Sequence, residues 1–202
     1  MSNKDAFAER ERALEDEYFR RRERELIEKM RRRAALEAER QQMADIAGTA
    51  DQEVLQELQE LGYTHETVVL LHLLPLVQVA WAEWGVSARE RQLILDVAKL
   101  RGVEPGGAAY EQLIQWLEHR PTEEFAEKTL RLISAMLQAL PPEKGDSAKR
   151  DLVAYCTRVA EVSGGMLGFA NNVSKDERAM LEHIAAELER DNKAAAQQIL
   201  NT

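Results

Sequence analysis

Thirteen residues of this chain occur twice. VSARERQLILDVA at 86–98 returns 87 positions later as VSKDERAMLEHIA at 173–185, with five positions identical and three more exchanging one aliphatic side chain for another. In each copy a serine (Ser87, Ser174) stands three residues before a glutamate (Glu90, Glu177). That is capping-box spacing: the serine hydroxyl accepts from the third helical amide, and the glutamate reaches back to the serine's own amide. Both copies therefore predict a helix start. Leu93, Ile94, Val97 and Ala98, like Met180, Leu181, Ile184 and Ala185, follow at the spacing of one buried helical face. A chain built this way is constrained to a duplicated helical scaffold.

The remaining sequence agrees with an all-α fold, since no segment sustains period-two alternation. Residues 4–46 hold no Gly or Pro and are dominated by Glu, Arg, Leu and Ala, which predicts one long helix. Asp16/Arg20, Glu17/Arg21, Glu25/Lys29 and Glu28/Arg32 place acid four residues before base. At about 0.2–0.5 kcal/mol each, such pairs help a helix stand exposed. Its apolar residues, Phe7, Leu14, Tyr18, Leu26 and Met30, form a thin stripe suited to a seam rather than a core. AGTAD at 47–51 reads as a hinge, with Thr49 and Gln52 capping a short helix that ends before Gly62. An apolar helix over 65–83 is expected to kink at Pro75. Further helices are expected over 88–101, from about 109 to 119, from Thr122 to about Leu140, from about 148, and over about 175–190. LPPEKGDS at 140–147 reads as the joint between two halves, about 48–140 and 146–202, of a body spanning 48–202, with 1–47 as the extended charged helix.

Charge is distributed unevenly. Residues 1–40 carry twelve Lys/Arg against eleven Asp/Glu, and residues 41–202 fifteen against twenty-five, so the body is acidic. That argues against a nucleic-acid-binding surface, which needs clustered positive charge. The basic run at 20–33 is interleaved with Glu23, Glu25 and Glu28 and reads as a solvated face. One cysteine, Cys156, excludes an internal disulfide and makes a reducing cytoplasm the default expectation. The most apolar stretch, 68–82, is fifteen residues broken by His72, Pro75 and Gln78, short of the about 20 that span a bilayer.

No catalytic set assembles. His65, His72, His119 and His183 fall at no metal-ligand spacing. His72 reads as a core histidine, His183 as a surface one, and Cys156 as a small hydrophobe on an apolar face. GGMLG follows no strand and leads to no GK[ST], so it reads as close helix packing rather than a phosphate cradle. Trp81, Trp84 and Trp116 are expected in the core. The expectation is a protein that is not an enzyme and holds no cofactor.

LPLVQVAWAEWGVSARERQLILDVAKLRGV and RDLVAYCTRVAEVSGGMLGFANNVSKDERAMLEHIAAEL together resemble the TerB-like, or tellurite-resistance, family over about 65–190. The resemblance implies an all-helical body of two pseudo-repeated bundles, associated with bacterial stress and found in places as a module of larger proteins. Family members carry ADGxVS before each repeat helix, with acids proposed to bind metal. Here the lead-ins are AEWGVS and ANNVS, so Glu83 alone stands as a metal-ligand candidate, opposite Asn171 and Asn172 in the second copy. A hard cation wants several oxygens together.

Residues 7–36 resemble the start of the bacterial ATPase-inhibitor zeta subunit. The resemblance implies partner binding by Phe7, Arg10, Glu11, Leu14, Glu15, Tyr18, Arg31 and Arg32, in a helix that enters a rotary ATPase. Spaced apolar anchors, here Phe7, Leu14 and Tyr18, are what a groove-binding helix needs. The leading expectation is a non-enzymatic, stress-associated interaction or scaffold module whose N-terminal helix contacts protein partners or a second copy. An F-type ATP synthase inhibitor and a metal-binding stress protein are the alternatives.

Overall fold

The computed structural model describes residues 3–163 and 173–200, with side-chain surroundings over 17–162 and 173–189. It divides into two compact units, residues 1–41 and 42–202. The described residues are helical and contain no strand.

The first unit is the greater part of α1, Asn3–Ala47. Glu28 and Arg32 pair as the spacing predicts, while Glu25 turns back to Arg22 at 3.8 Å and Glu37 pairs with Arg40 at 3.7 Å. Tyr18, Phe19, Leu26, Ile27, Met30 and Leu36 are all exposed. The Tyr18 and Phe19 rings meet edge to face at 5.9 Å, and the Arg22 guanidinium lies 6.0 Å from the Tyr18 centroid. Local pairing and helix propensity, not burial, support this segment.

In the second unit, Met43 on the last turns of α1 is fully buried. Gly48 ends the helix at φ 71°, a left-handed conformation that glycine adopts without a Cβ clash. The cap of α2 (Gln52–Glu60) differs from expectation: Asp51, not Thr49, supplies it, its Oδ1 accepting from Glu53 N at 2.9 Å and Val54 N at 3.4 Å. Thr49 instead accepts from Asp51 N. A carboxylate directly before the first helical residue reaches two orphan amides that Thr49, two residues further back, does not.

The apolar stretch also departs from a single kinked helix. Val68–Leu73 is a 3₁₀ helix, and α3 (Leu74–Ala80) begins after it with Pro75 in its first turn. There the missing N–H has no intrahelical partner to lose, so the proline marks a change of helix type instead of bending one helix. Leu70, Leu71, Leu73, Leu74, Leu76, Val77 and Val79 are all buried. A helix apolar all round belongs in the middle of a domain, and α3 packs against α4 (Ala88–Leu100), α6 (Glu123–Ala139), α7 (Pro142–Ser163) and α8 (Lys175–Leu200). The 3₁₀ segment packs on α5 (Ala108–Glu118), and α2 packs on α6. One continuous core joins these elements, with Leu113, Trp116 and Leu117 of α5 turned inward as their spacing predicts.

The break at 140–147 is smaller than its composition suggests. Helix α7 starts at Pro142, leaving Leu140 and Pro141 between it and α6, so PEKGDS is the first turn and a half of a helix and not a linker. Gly145 is there for packing: a Cβ on it would lie 2.5 Å from Leu137 O. The glycines of GGMLG, expected to serve close packing, lie outside the described residues.

Candidate functional site

Both capping boxes form. Ser87 N donates to Glu90 Oε2 at 2.7 Å and Glu90 N to Ser87 Oγ at 3.2 Å; the corresponding bonds of Ser174 and Glu177 measure 2.8 and 3.1 Å. Both glutamates are buried, at 3% and 1% exposure. Burial raises the Glu90 carboxyl above its ordinary range; its bonds to Ser87 oppose this, and the charges of Glu177 and Glu83 add to it. The two caps thus stand close enough for their carboxylates to repel one another, with exposed Glu83 beside them.

This arrangement bears on Glu83 as a metal ligand. Its acidic neighbours already spend oxygens on helix-start amides, and Asn171 and Asn172 lie outside the described residues. Among the described residues no three His, Cys, Asp or Glu side chains gather as a ligand set. Glu83 is the one acid at the family position among the described residues, and a hard cation needs several free oxygens together.

His72 sits half-buried on the 3₁₀ segment rather than within an α-helix; burial, then the nearby Arg101 charge, pulls its pKa down to about 4. Burial pushes the Cys156 thiol up to about 12, so it stays protonated and packs as an apolar group. His183 is exposed.

Two of the clefts among the described residues bring together side chains that no spacing linked. One, of about 430 Å³, is lined by Leu61, Tyr63, Thr67, Gln112, Trp116 and Phe125 among others, and no charged side chain reaches it. Its aromatic rings pack on one another: Tyr63 stacks on Phe125 at 5.6 Å, and Trp116 lies 5.7 Å from Phe125 and 6.3 Å from Tyr63. Tyr63 is held by a 3.3 Å bond between its hydroxyl and Thr129 Oγ1. The other, of about 350 Å³, is mixed, with Gln78, Arg120, Glu123, Asp176 and His183 beside Trp81 and Met180 on its walls. Trp81 Nε1 donates to Trp116 O at 2.8 Å, tying the end of α3 to α5.

Trp84 corrects the expectation of three core tryptophans. Trp116 is buried and Trp81 partly so, but Trp84 is 103% exposed, on a turn closed by Gly85 at φ 147°. The signal for this was its position between two helices, one residue before a glycine and two before the repeated segment.

Of the partner-binding candidates on α1, Tyr18, Arg31 and Arg32 are exposed, with Arg32 paired to Glu28. Phe7, Arg10, Glu11, Leu14 and Glu15 lie on the helical backbone of α1 but outside the residues whose side chains are described. No family model matches the chain, and neither a curated protein nor a solved structure matches it. Among the described residues no helix is long and apolar enough to cross a membrane.

Proposed function

We propose that the chain is a non-enzymatic, TerB-like interaction module of the stress-associated kind, with a rigid helical body as scaffold and α1 as the arm that contacts protein partners. The observation that carries this reading is the exposure of six large apolar side chains, Tyr18, Phe19, Leu26, Ile27, Met30 and Leu36, along one uninterrupted helix. Apolar groups in such number on a solvated helix offer anchors to a groove or a facing helix. The matched caps of α4 and α8 support reading the body as two pseudo-repeats.

Affinity purification with the full chain and with Tyr18→Ser, Leu26→Ser and Met30→Ser combined tests the arm. The expected result is loss of specific partners from the variant with an unchanged melting temperature; recovery of the same partners would sink the reading. The rotary-ATPase alternative is addressed by adding the full chain to purified F1-ATPase. Inhibition that the triple variant loses would make the ATPase the partner, and no inhibition at micromolar concentration removes it.

A further inference from the structure

The charges of α1 are sorted along its length. Residues 3–17 carry six Asp/Glu against three Lys/Arg, a net of −3, whereas residues 20–33 carry three against eight, a net of +5. Between the two blocks stand Tyr18 and Phe19, 56% and 65% exposed. Support of the helix from within does not account for this sorting, because pairs such as Glu28 and Arg32 need only acid and base one turn apart. A partner lying along the helix does respond to it, since charges flanking a line of helix contact select the partner and its direction.

A partner of one sign matches only half of the arm. The acidic body, with fifteen Lys/Arg against twenty-five Asp/Glu over residues 41–202, attracts residues 20–33 and repels residues 3–17, and a polyanion does the same. A second α1 laid parallel and in register sets each block against its own kind. Turned antiparallel, it sets acid against base at both ends. With the two-fold axis at Tyr18–Phe19, Glu15, Asp16 and Glu17 of one copy come level with Arg22, Arg21 and Arg20 of the other, and symmetry repeats the match beyond the axis. Over residues 4–33 that register brings five opposite-charge pairs of positions level and two like-charge pairs. The two exposed aromatic residues of each copy then meet at the axis, the one stretch where neither block of charge lies. We propose that α1 pairs antiparallel with α1 of a second copy, the acidic block of each chain lying along the basic block of the other. The inference rests on α1 being an interaction arm and names its partner.

The test is sedimentation equilibrium of the full chain from low to high micromolar concentration, at about 0.05 M and about 0.5 M salt. Self-association is expected at the lower salt, weakened about tenfold or more at the higher, where exposed charges are screened. Arg20→Glu, Arg21→Glu and Arg22→Glu combined should weaken it to a similar degree, and so should Glu15→Lys, Asp16→Lys and Glu17→Lys combined. Either reversal also breaks pairs within the helix, Asp16 with Arg20 and Glu17 with Arg21, so the two variants are then mixed. Each meets a complementary block in the other, and association should return towards the native level; a mixture no better than its components would trace the loss to a weakened helix and overturn the proposal. Three further results overturn it: a chain that stays monomeric throughout, association unchanged by both reversals, as parallel pairing gives, or association strengthened by the lysine variant, which would give the basic block to an acidic body. A monomeric chain leaves the arm as such to the affinity purification, where loss of foreign partners from the serine variant is read independently, so the two failures are told apart.

Discussion

Leu26 in α1 is 59% exposed and Leu74 in α3 is fully buried, although both stand in helices without an internal break. The arm is held by what lies along it, charge pairs such as Glu28–Arg32 and a run of good helix formers; the body is held by what lies across it. Pairing along a helix contributes tenths of a kcal/mol per contact, and burial of one leucine contributes several-fold more. The same amino acid therefore has different work in the two regions: stability in the body, and in the arm an apolar surface left for something else. Leu74→Ala is expected to reduce the free energy of unfolding by about 2–5 kcal/mol, read from urea titrations. Leu26→Ala should change it by less than about 0.5 kcal/mol, as exposed positions do. Similar losses at both sites would mean that the arm is packed in solution and would break the comparison.

Titration separates the regions next. No histidine lies in residues 1–41, while the body holds all four. His72 is drawn from an ordinary 6.5 to about 4, so the folded body keeps it neutral where the unfolded chain would protonate it. Its contribution to stability is complete above about 6.5 and is lost as pH falls towards 4, reaching up to about 3 kcal/mol by linkage. Urea unfolding at pH 7 and pH 4.5, compared between the native chain and His72→Gln, checks this: the native chain should lose more. Equal pH dependence would show that His72 is solvated.

The features legible in the sequence were those whose causes are local. Ser87 with Glu90 and Ser174 with Glu177 announce helix starts because a capping box is satisfied within four residues. Thr122 is an equally local cap, its Oγ1 accepting from Phe125 N at 3.3 Å. Features decided by distant atoms were not legible. Nothing adjacent to Gly145 says that α6 passes so close that a Cβ would meet Leu137 O, so a Gly- and Pro-containing stretch read as the joint between two halves when all but its first two residues are helix. The aromatic cleft gathers Tyr63, Trp116 and Phe125 from three separate segments, and no spacing links them. The 3₁₀ start of the apolar stretch was equally hidden, because periodicity does not distinguish a helix type when nearly every position is apolar. The candidate site thus went unread in sequence for the reason that the caps were readable: its geometry is tertiary.

Glutamate sharpens the contrast at its smallest scale. Glu28 on the arm is solvated and paired with Arg32, so neutralising it removes a favourable contact. Glu90 in the body is buried, and the charges of Glu177 and Glu83 oppose its own. Its folded value lies above the ordinary 4.5, so this group favours folding most below about 4.5, and that contribution is lost as pH rises through the raised folded value. Glu90→Gln keeps an oxygen to accept from Ser87 N, since glutamine also serves at this position of a capping box, and it removes the buried charge. At pH 7 the exchange is therefore expected to raise the melting temperature by about 1–3 °C, the scale of a fraction of a kcal/mol in a chain this size. The gain should shrink as pH approaches 4, where the native carboxyl is protonated as well. Ser87→Ala should act in the opposite direction at both pH values, costing about 1 kcal/mol, because it leaves the Glu90 amide without its acceptor. A Glu90→Gln variant less stable than the native chain at pH 7 would mean that the carboxylate's charge strengthens the cap by more than its burial beside Glu177 opposes it.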